Sequence, residues 1–179
     1  MSLLSPPRKR LFIAAAISAL LLACGKDDDA APSSGGGGGG ATTTAQLTIT
    51  LDGDGFSAQA FTLTPIAGSG MALYSTADNE TSGNILVSAT NNFQLLFEGN
   101  TTGTQTCSTG TGPVGIGLVV NGQQYMHYTN TVNITEYGPV GGWVRGNLDG
   151  TLIRVNGANP GNLVTVTNAN FSFKRMSDV

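Results

Sequence analysis

Few side chains in this sequence could do chemistry, and their spacing decides how each is read. There are two cysteines, Cys24 and Cys107, and one histidine, His127. A thiol and an imidazole within hydrogen-bond reach form a nucleophile–base pair, so Cys107 with His127 is the first candidate. Cys107 sits in Thr104-Gln105-Thr106-Cys107-Ser108-Thr109-Gly110, at the expected end of a strand. The plainer reading there is a small buried apolar side chain. Carboxylates for glycoside cleavage would come from Glu80, Glu98, Glu136, Asp149 or their neighbours. That reaction needs two of them about 5 to 9 Å apart, a distance that chain order does not set.

Three further patterns fail on inspection. Asp52-Gly53-Asp54-Gly55 opens like a calcium loop, but its fifth and twelfth positions would be Phe56 and Leu63, where oxygen ligands are required. A hairpin turn is expected instead. Gly110-Thr111-Gly112-Pro113-Val114-Gly115 matches the dinucleotide fingerprint in form, yet the residues after it alternate like a strand and open no helix. A single histidine does not make a zinc site, and no Gly-x-Ser-x-Gly nucleophile elbow is present. No cofactor and no metal are expected. Aromatic residues are the remaining handle: Tyr125, Tyr128, Tyr137 and Trp143 fall in neighbouring predicted strands. On one exposed face they would stack on sugar rings or anchor a protein partner, since each has an apolar ring and a polar tip. Core packing is the plainer alternative.

Cys24 belongs to a different kind of pattern. Arg8, Lys9 and Arg10 form a positive flank, residues 11–23 an apolar run, and Leu21-Leu22-Ala23-Cys24 its end. Thirteen residues fall short of the roughly 20 that a stable membrane span needs, so the segment reads as an export signal. It resembles the lipobox of bacterial lipoproteins, in which the cysteine is acylated and becomes the new N-terminus. That resemblance implies cleavage between Ala23 and Cys24 and a membrane anchor on Cys24. A single acyl chain binds reversibly, whereas two or more hold a protein durably.

Residues 25–45 show no apolar period and include six consecutive glycines at 35–40. Such a composition buries too little apolar area to offset ordering entropy, so a flexible tether is expected, spanning roughly 25 Å. Lys26-Asp27-Asp28-Asp29 suits a solvated linker. It also resembles the export tag of surface lipoproteins, and Gly25 lacks the aspartate associated with inner-membrane retention. Together these imply the outer membrane, on its periplasmic face or at the cell surface.

The remaining elements must position whatever the chain binds. Residues 46–179 suffice for one domain with a core. Charged residues make up 11% of the chain against a usual value of about 25%. Within the domain four Lys and Arg face eight Asp and Glu, without a basic cluster in the sequence, which argues against a nucleic-acid partner. Period-two alternation recurs and no helical period of useful length follows the signal. Leu47, Ile49 and Leu51 alternate with polar residues. The phase then slips between Phe56-Ala58-Ala60 and Phe61-Leu63, suggesting a bulge near Ala60. Ile85-Leu86-Val87 and Leu95-Leu96-Phe97 read as central strands covered on both faces. Asn121-Gly122 is the clearest hairpin signal, and Asp149-Gly150 and Asn156-Gly157 read as further turns.

Some ten to twelve short strands imply an all-β fold, an antiparallel sandwich or a barrel, with the sandwich preferred. The stretch from Val132 to Leu152, together with Val166 to Phe173, resembles the C-terminal part of uncharacterised secreted bacterial lipoproteins. That likeness implies a fold and a location, but no activity. The domain organisation expected is therefore a signal at 1–23, a lipidated cysteine and linker at 24–45, and one β-domain at 46–179. Its expected role is a non-catalytic binding or structural module with a carbohydrate or envelope-protein partner. A hydrolase of envelope or extracellular polysaccharide is the alternative.

Overall fold

The structure, a computed structural model, describes residues 44–179. The expected signal, Cys24 and nearly all of the expected linker lie outside the described residues. Ten strands account for most of the rest: β1 (Gln46–Gly53), β2 (Phe56–Leu63), β3 (Met71–Ser75), β4 (Glu80–Ser88), β5 (Asn91–Glu98), β6 (Gly103–Cys107), β7 (Gly115–Val120), β8 (Gln123–Tyr137), β9 (Trp143–Arg154) and β10 (Leu163–Arg175).

Seven of these strands close on themselves. The ring runs β3-β4-β5-β7-β8-β9-β10 and returns to β3 through a short parallel pair, Lys174 with Met71 and Arg175 with Ala72. All other pairs in it are antiparallel. The all-β expectation holds, and of the two arrangements left open the chain forms the barrel. Two long strands make this economical. β10 carries β3 at Lys174 and Arg175 and β1 over residues 165–172, so β1 and its hairpin partner β2 extend the wall that β3 begins. β8 likewise carries β7 at residues 123–126 and β6 at residues 130–134.

Local chemistry explains the corners. Asn121 and Gly122 both have positive φ, 52° and 78°, as a two-residue type I′ hairpin requires. The irregularity expected near Ala60 falls earlier, at Ala58, whose φ is 46°. From Gln59 onward β2 pairs regularly with β1. Asp149-Gly150 is no turn: both residues lie inside β9, where Gly150 (φ 128°) lets the strand press against the backbone of Thr129 and Asn130. The two apolar runs also differ from expectation. Ile85, Leu95 and Phe97 are buried, but Leu86 lies on the outer surface at 36% exposure, so the strands are covered on one face only.

The barrel is filled by side chains. Phe93 stacks parallel to Phe173 with ring centroids 6.2 Å apart, and Phe173 leans on Phe171 at 5.4 Å. Glycines on the inner face make room for these rings. Gly83 lies under Phe173, and Gly146 is the cross-strand partner of Phe171.

One gap between strands is closed by a side chain. The Gln105 amide accepts a hydrogen bond from Glu98 N (2.9 Å) and donates one to Glu98 O (2.6 Å), as a neighbouring strand would. These two bonds tie β6 to the end of β5. Gln105→Ala leaves that backbone to water and should lower the midpoint of urea unfolding by an amount equivalent to about 1–2 kcal/mol. Gln105→Glu, which keeps an acceptor but no donor, should fall between the two.

Candidate functional site

Cys107 and His127 do not form a catalytic pair. Cys107 ends β6, is 1% exposed, and points its thiol at the Tyr128 carbonyl oxygen, 3.5 Å away. His127 faces the barrel interior from β8. Its Nδ1 accepts a hydrogen bond from Ile116 N (3.3 Å), so its Nε2 carries the proton and donates to Gly110 O (3.2 Å). Both ring nitrogens thus brace the loop that leads into β7. The thiol is a core group.

The turn that resembled a calcium loop holds a different cation. Asp54, at φ 50° between Gly53 and Gly55, folds its carboxylate inward until the side chain is 2% exposed. Asn162 Nδ2 donates to Oδ1 (2.7 Å) and the Tyr125 hydroxyl donates to Oδ2 (2.7 Å). Arg154 Nη1 lies 3.3 Å from Oδ2. A guanidinium therefore pairs with the carboxylate of this turn. Burial opposes ionisation of Asp54, but the bonds from Asn162 and Tyr125 and the charge of Arg154 outweigh it and hold the carboxyl below its usual range. Burial and the adjacent carboxylate push the Tyr125 hydroxyl well above the usual tyrosine range. Arg154 is held in turn by Asn156 O (2.9 Å), and Gly157 leaves room for its guanidinium. This knot joins the β1–β2 turn to β8 and β9.

The four aromatic candidates do not share a face. Tyr125 is 1% exposed inside the barrel and cannot contact a ligand at the surface. Tyr128 sits at a register shift in β8, and its backbone serves Cys107, Gly110 and Asn130. Tyr137 is half-buried at one end of the barrel: its ring meets Phe97 edge-on, its hydroxyl is 2.8 Å from Thr81 Oγ1, and the Arg175 guanidinium lies 4.8 Å above it. Trp143 lies on the outer face of β9. Lys174, its cross-strand partner, and Arg145, two residues along β9, both lie over the indole, at 5.1 and 4.9 Å from its centre. Glu136 pairs with Arg145 from β8.

Beside Trp143 the outer surface of β1, β8, β9 and β10 sinks into an open recess of about 290 Å³. Gln46, Thr135, Arg145, Asn147, Asn170 and Ser172 contribute to its lining. The side-chain amides of Gln46 and Asn147 make no hydrogen bond among the described residues, so they offer donors and acceptors to a ligand. Chain order had pointed to Trp143 but not to these amides, because Asn, Gln and Thr are common throughout. The available signal was the i, i+2, i+4 spacing of Trp143, Arg145 and Asn147, which puts all three on one face of a strand.

Of the carboxylates considered, Glu80 and Glu98 are direct cross-strand partners on the outer face of β4 and β5. Glu136 is engaged by Arg145, and neither Glu80 nor Glu98 lines the recess. Among the described residues, no three His, Cys, Asp or Glu side chains are grouped to hold a metal ion. Comparisons with protein-family models, with curated proteins and with solved structures find no match to this chain.

Proposed function

We propose that the chain is an envelope lipoprotein: acyl chains on Cys24 hold it at the outer membrane, and its barrel is a non-catalytic module that binds a carbohydrate or an envelope protein. The observation that carries the binding role is the recess beside Trp143, where the Gln46 and Asn147 amides converge next to Arg145. Hydrogen-bonding amides beside an aromatic ring suit a polyhydroxylated ligand. In the barrel interior the rings of Phe93, Phe171 and Phe173 pack against one another.

The anchor and the module are tested separately. Intact-mass spectrometry of native protein should show Cys24 carrying acyl chains at the N-terminus, and a free thiol there would end the lipoprotein reading. Glycan-array and envelope pull-down screens should return a ligand whose capture falls at least severalfold in Asn147→Ala and Gln46→Ala. Screens that return nothing would leave a structural role. A hydrolase is the second reading, favoured by the facing pair Glu80 and Glu98. Cross-strand partners lie close to the carboxyl spacing of a retaining mechanism. Polysaccharide cleavage abolished by Glu98→Gln would replace the non-catalytic reading.

A further inference from the structure

The wall that holds the recess is polar in a regular way. Thr62 on β2 pairs with Thr48 on β1, and Thr48 with Asn170 on β10. Asn170 pairs with Asn147 on β9, Asn147 with Asn133 on β8, and Asn133 with Thr104 on β6. Six strands thus place six uncharged polar residues in one cross-strand row. In the four central strands the residues on either side of the row are buried: Leu47 and Ile49, Ala169 and Phe171, Gly146 and Leu148, Val132 and Ile134. Strand alternation therefore turns the row itself outward. Thr62 and Thr104, at its two ends, are exposed. Adjacent strands lie about 4.8 Å apart, so the row runs for roughly 24 Å. Asn147 and Asn170 also line the recess, which opens on the middle of the row.

Much of the hydrogen-bonding capacity of the row is unused within the barrel. The side chains of Thr48, Thr62 and Asn147 make no hydrogen bond among the described residues. Thr104 Oγ1 donates to Asn133 Oδ1 (3.1 Å), which leaves the Asn133 amide protons to a ligand. Asn170 Nδ2 donates to Asn168 O (3.2 Å), which leaves the Asn170 side-chain oxygen. Charge does not guide a partner here: Arg145 and Glu136 pair on one side of the row, and Asp149 stands on the other. The row also holds no aromatic or large aliphatic side chain, the types that anchor protein interfaces. A matching ligand must exchange many neutral hydrogen bonds while offering neither counter-charge nor an apolar anchor. A neutral polysaccharide does this, since each hydroxyl both donates and accepts, and one ring of an extended chain covers about one strand spacing.

We propose that an uncharged, extended polysaccharide lies across the strands along the row from Thr62 to Thr104, with the recess as its central subsite. This placement rests on the binding reading of the recess and adds to it a ligand class and a direction. Contacts recur strand by strand, so affinity rises with chain length until the row is filled. Each neutral hydrogen bond is modest by itself, and retention comes from their number.

The test uses the chain from residue 24 onward with Cys24→Ser, which needs no detergent, in affinity electrophoresis. The gels hold a neutral polymer (mixed-linkage β-glucan, galactomannan or dextran) or an acidic one (polygalacturonate or alginate). At least one neutral polymer should retard the chain, and neither acidic polymer should. Oligosaccharides of the retarding polymer should gain affinity about tenfold or more between two sugar units and six, as further neutral hydrogen bonds form. Thr48→Val and Asn133→Ala change the row outside the recess lining. Each should weaken polymer binding about threefold to tenfold and leave the two-unit fragment unaffected. Thr48→Val keeps the side-chain shape, so its effect reports the hydroxyl and not the fold. Gln94→Ala, exposed on β5, should change nothing. Polymer binding that falls in Asn147→Ala but not in Thr48→Val or Asn133→Ala would confine the ligand to the recess. That result overturns the row and leaves the binding reading standing. Preference for an acidic polymer, or no retardation by any neutral one, would overturn the row as well. In the second case an envelope protein whose capture depends on Asn147 would still support the binding reading, so the two failures are distinct.

Discussion

Asp54→Ala should lower the free energy of unfolding by about 3–5 kcal/mol, enough to move a thermal midpoint by many degrees. The reason lies in what remains behind. Asp54 is 2% exposed, and its removal leaves the Arg154 guanidinium, itself 12% exposed, without its carboxylate. The Tyr125 hydroxyl and the Asn162 amide lose an acceptor in the same step. An uncompensated buried charge is costly, whereas exchanging the whole pair for apolar groups can be nearly neutral. Asp54→Asn should be milder than alanine, because it keeps an acceptor oxygen while losing the charge. A double variant that also replaces Arg154 with methionine should recover part of the loss. Urea unfolding of the four proteins measures both terms.

The same knot sets a pH dependence at each end of the scale. The folded pKa of Asp54 lies below its unfolded value of 3.8. Its contribution is therefore present above that value and lost as pH falls through the lower, folded one. The folded pKa of Tyr125 lies above its unfolded value of 10.0. Its contribution is present below pH 10 and erodes as pH rises beyond it. Stability should thus be lost on the acid side below about pH 4 and again on the alkaline side above about pH 10. Tyr125→Phe should flatten the alkaline limb that this residue causes. It also deprives Asp54 of one hydrogen bond, which brings its folded pKa closer to the unfolded value, so the acid limb should become smaller.

Much of this architecture was legible from chain order, and what was hidden shares a physical cause. Alternation marked the inward residues of β1 and β7, because a strand with one face on the core must bury every second side chain. Asn121-Gly122 announced its hairpin, because the turn needs positive φ at two successive residues. Asp149-Gly150 misled for the same local reason. Glycine there serves close packing inside β9 and not a reversal of the chain. Sandwich against barrel depended on β3 meeting β10 in parallel, a pairing of two residues on each strand.

The candidate site was only partly readable, since it is assembled across strands. Trp143 and Lys174 are neighbours through strand register, and Asp54 and Arg154, which lie 100 residues apart, meet only through the folded packing of their side chains. Tyr125 looked like a ligand-stacking residue until its position on the inner face of β8 was known. Its pairing with Asp54 could not be inferred from either segment alone.

The packing of glycine against phenylalanine leads to a second large effect. A β-carbon on Gly83 would lie 2.6 Å from the Cε2 and Cζ atoms of Phe173, and the three nearest atoms all belong to that ring. Phe173 is fully buried and is held by Phe93 and Phe171, so it has little freedom to yield. Gly83→Ala should therefore destabilise the barrel by about 1–3 kcal/mol, as overpacking does. Phe173→Ala should cost about 3–5 kcal/mol through lost burial and the cavity left behind. The two effects should not add. With the ring gone, the methyl group at position 83 enters empty space, and alanine in a strand is favoured over glycine by roughly 0.5–1 kcal/mol. Gly83→Ala should thus change sign in the Phe173→Ala background. Gly146 provides the contrast. A β-carbon there would collide with the Asn133 carbonyl oxygen as well as lie 2.6 Å from Phe171 Cζ. Removing Phe171 leaves the backbone clash in place, so Gly146→Ala should remain destabilising in both backgrounds. Equilibrium unfolding of the two double-mutant cycles would distinguish a glycine that accommodates a ring from one that accommodates a neighbouring strand.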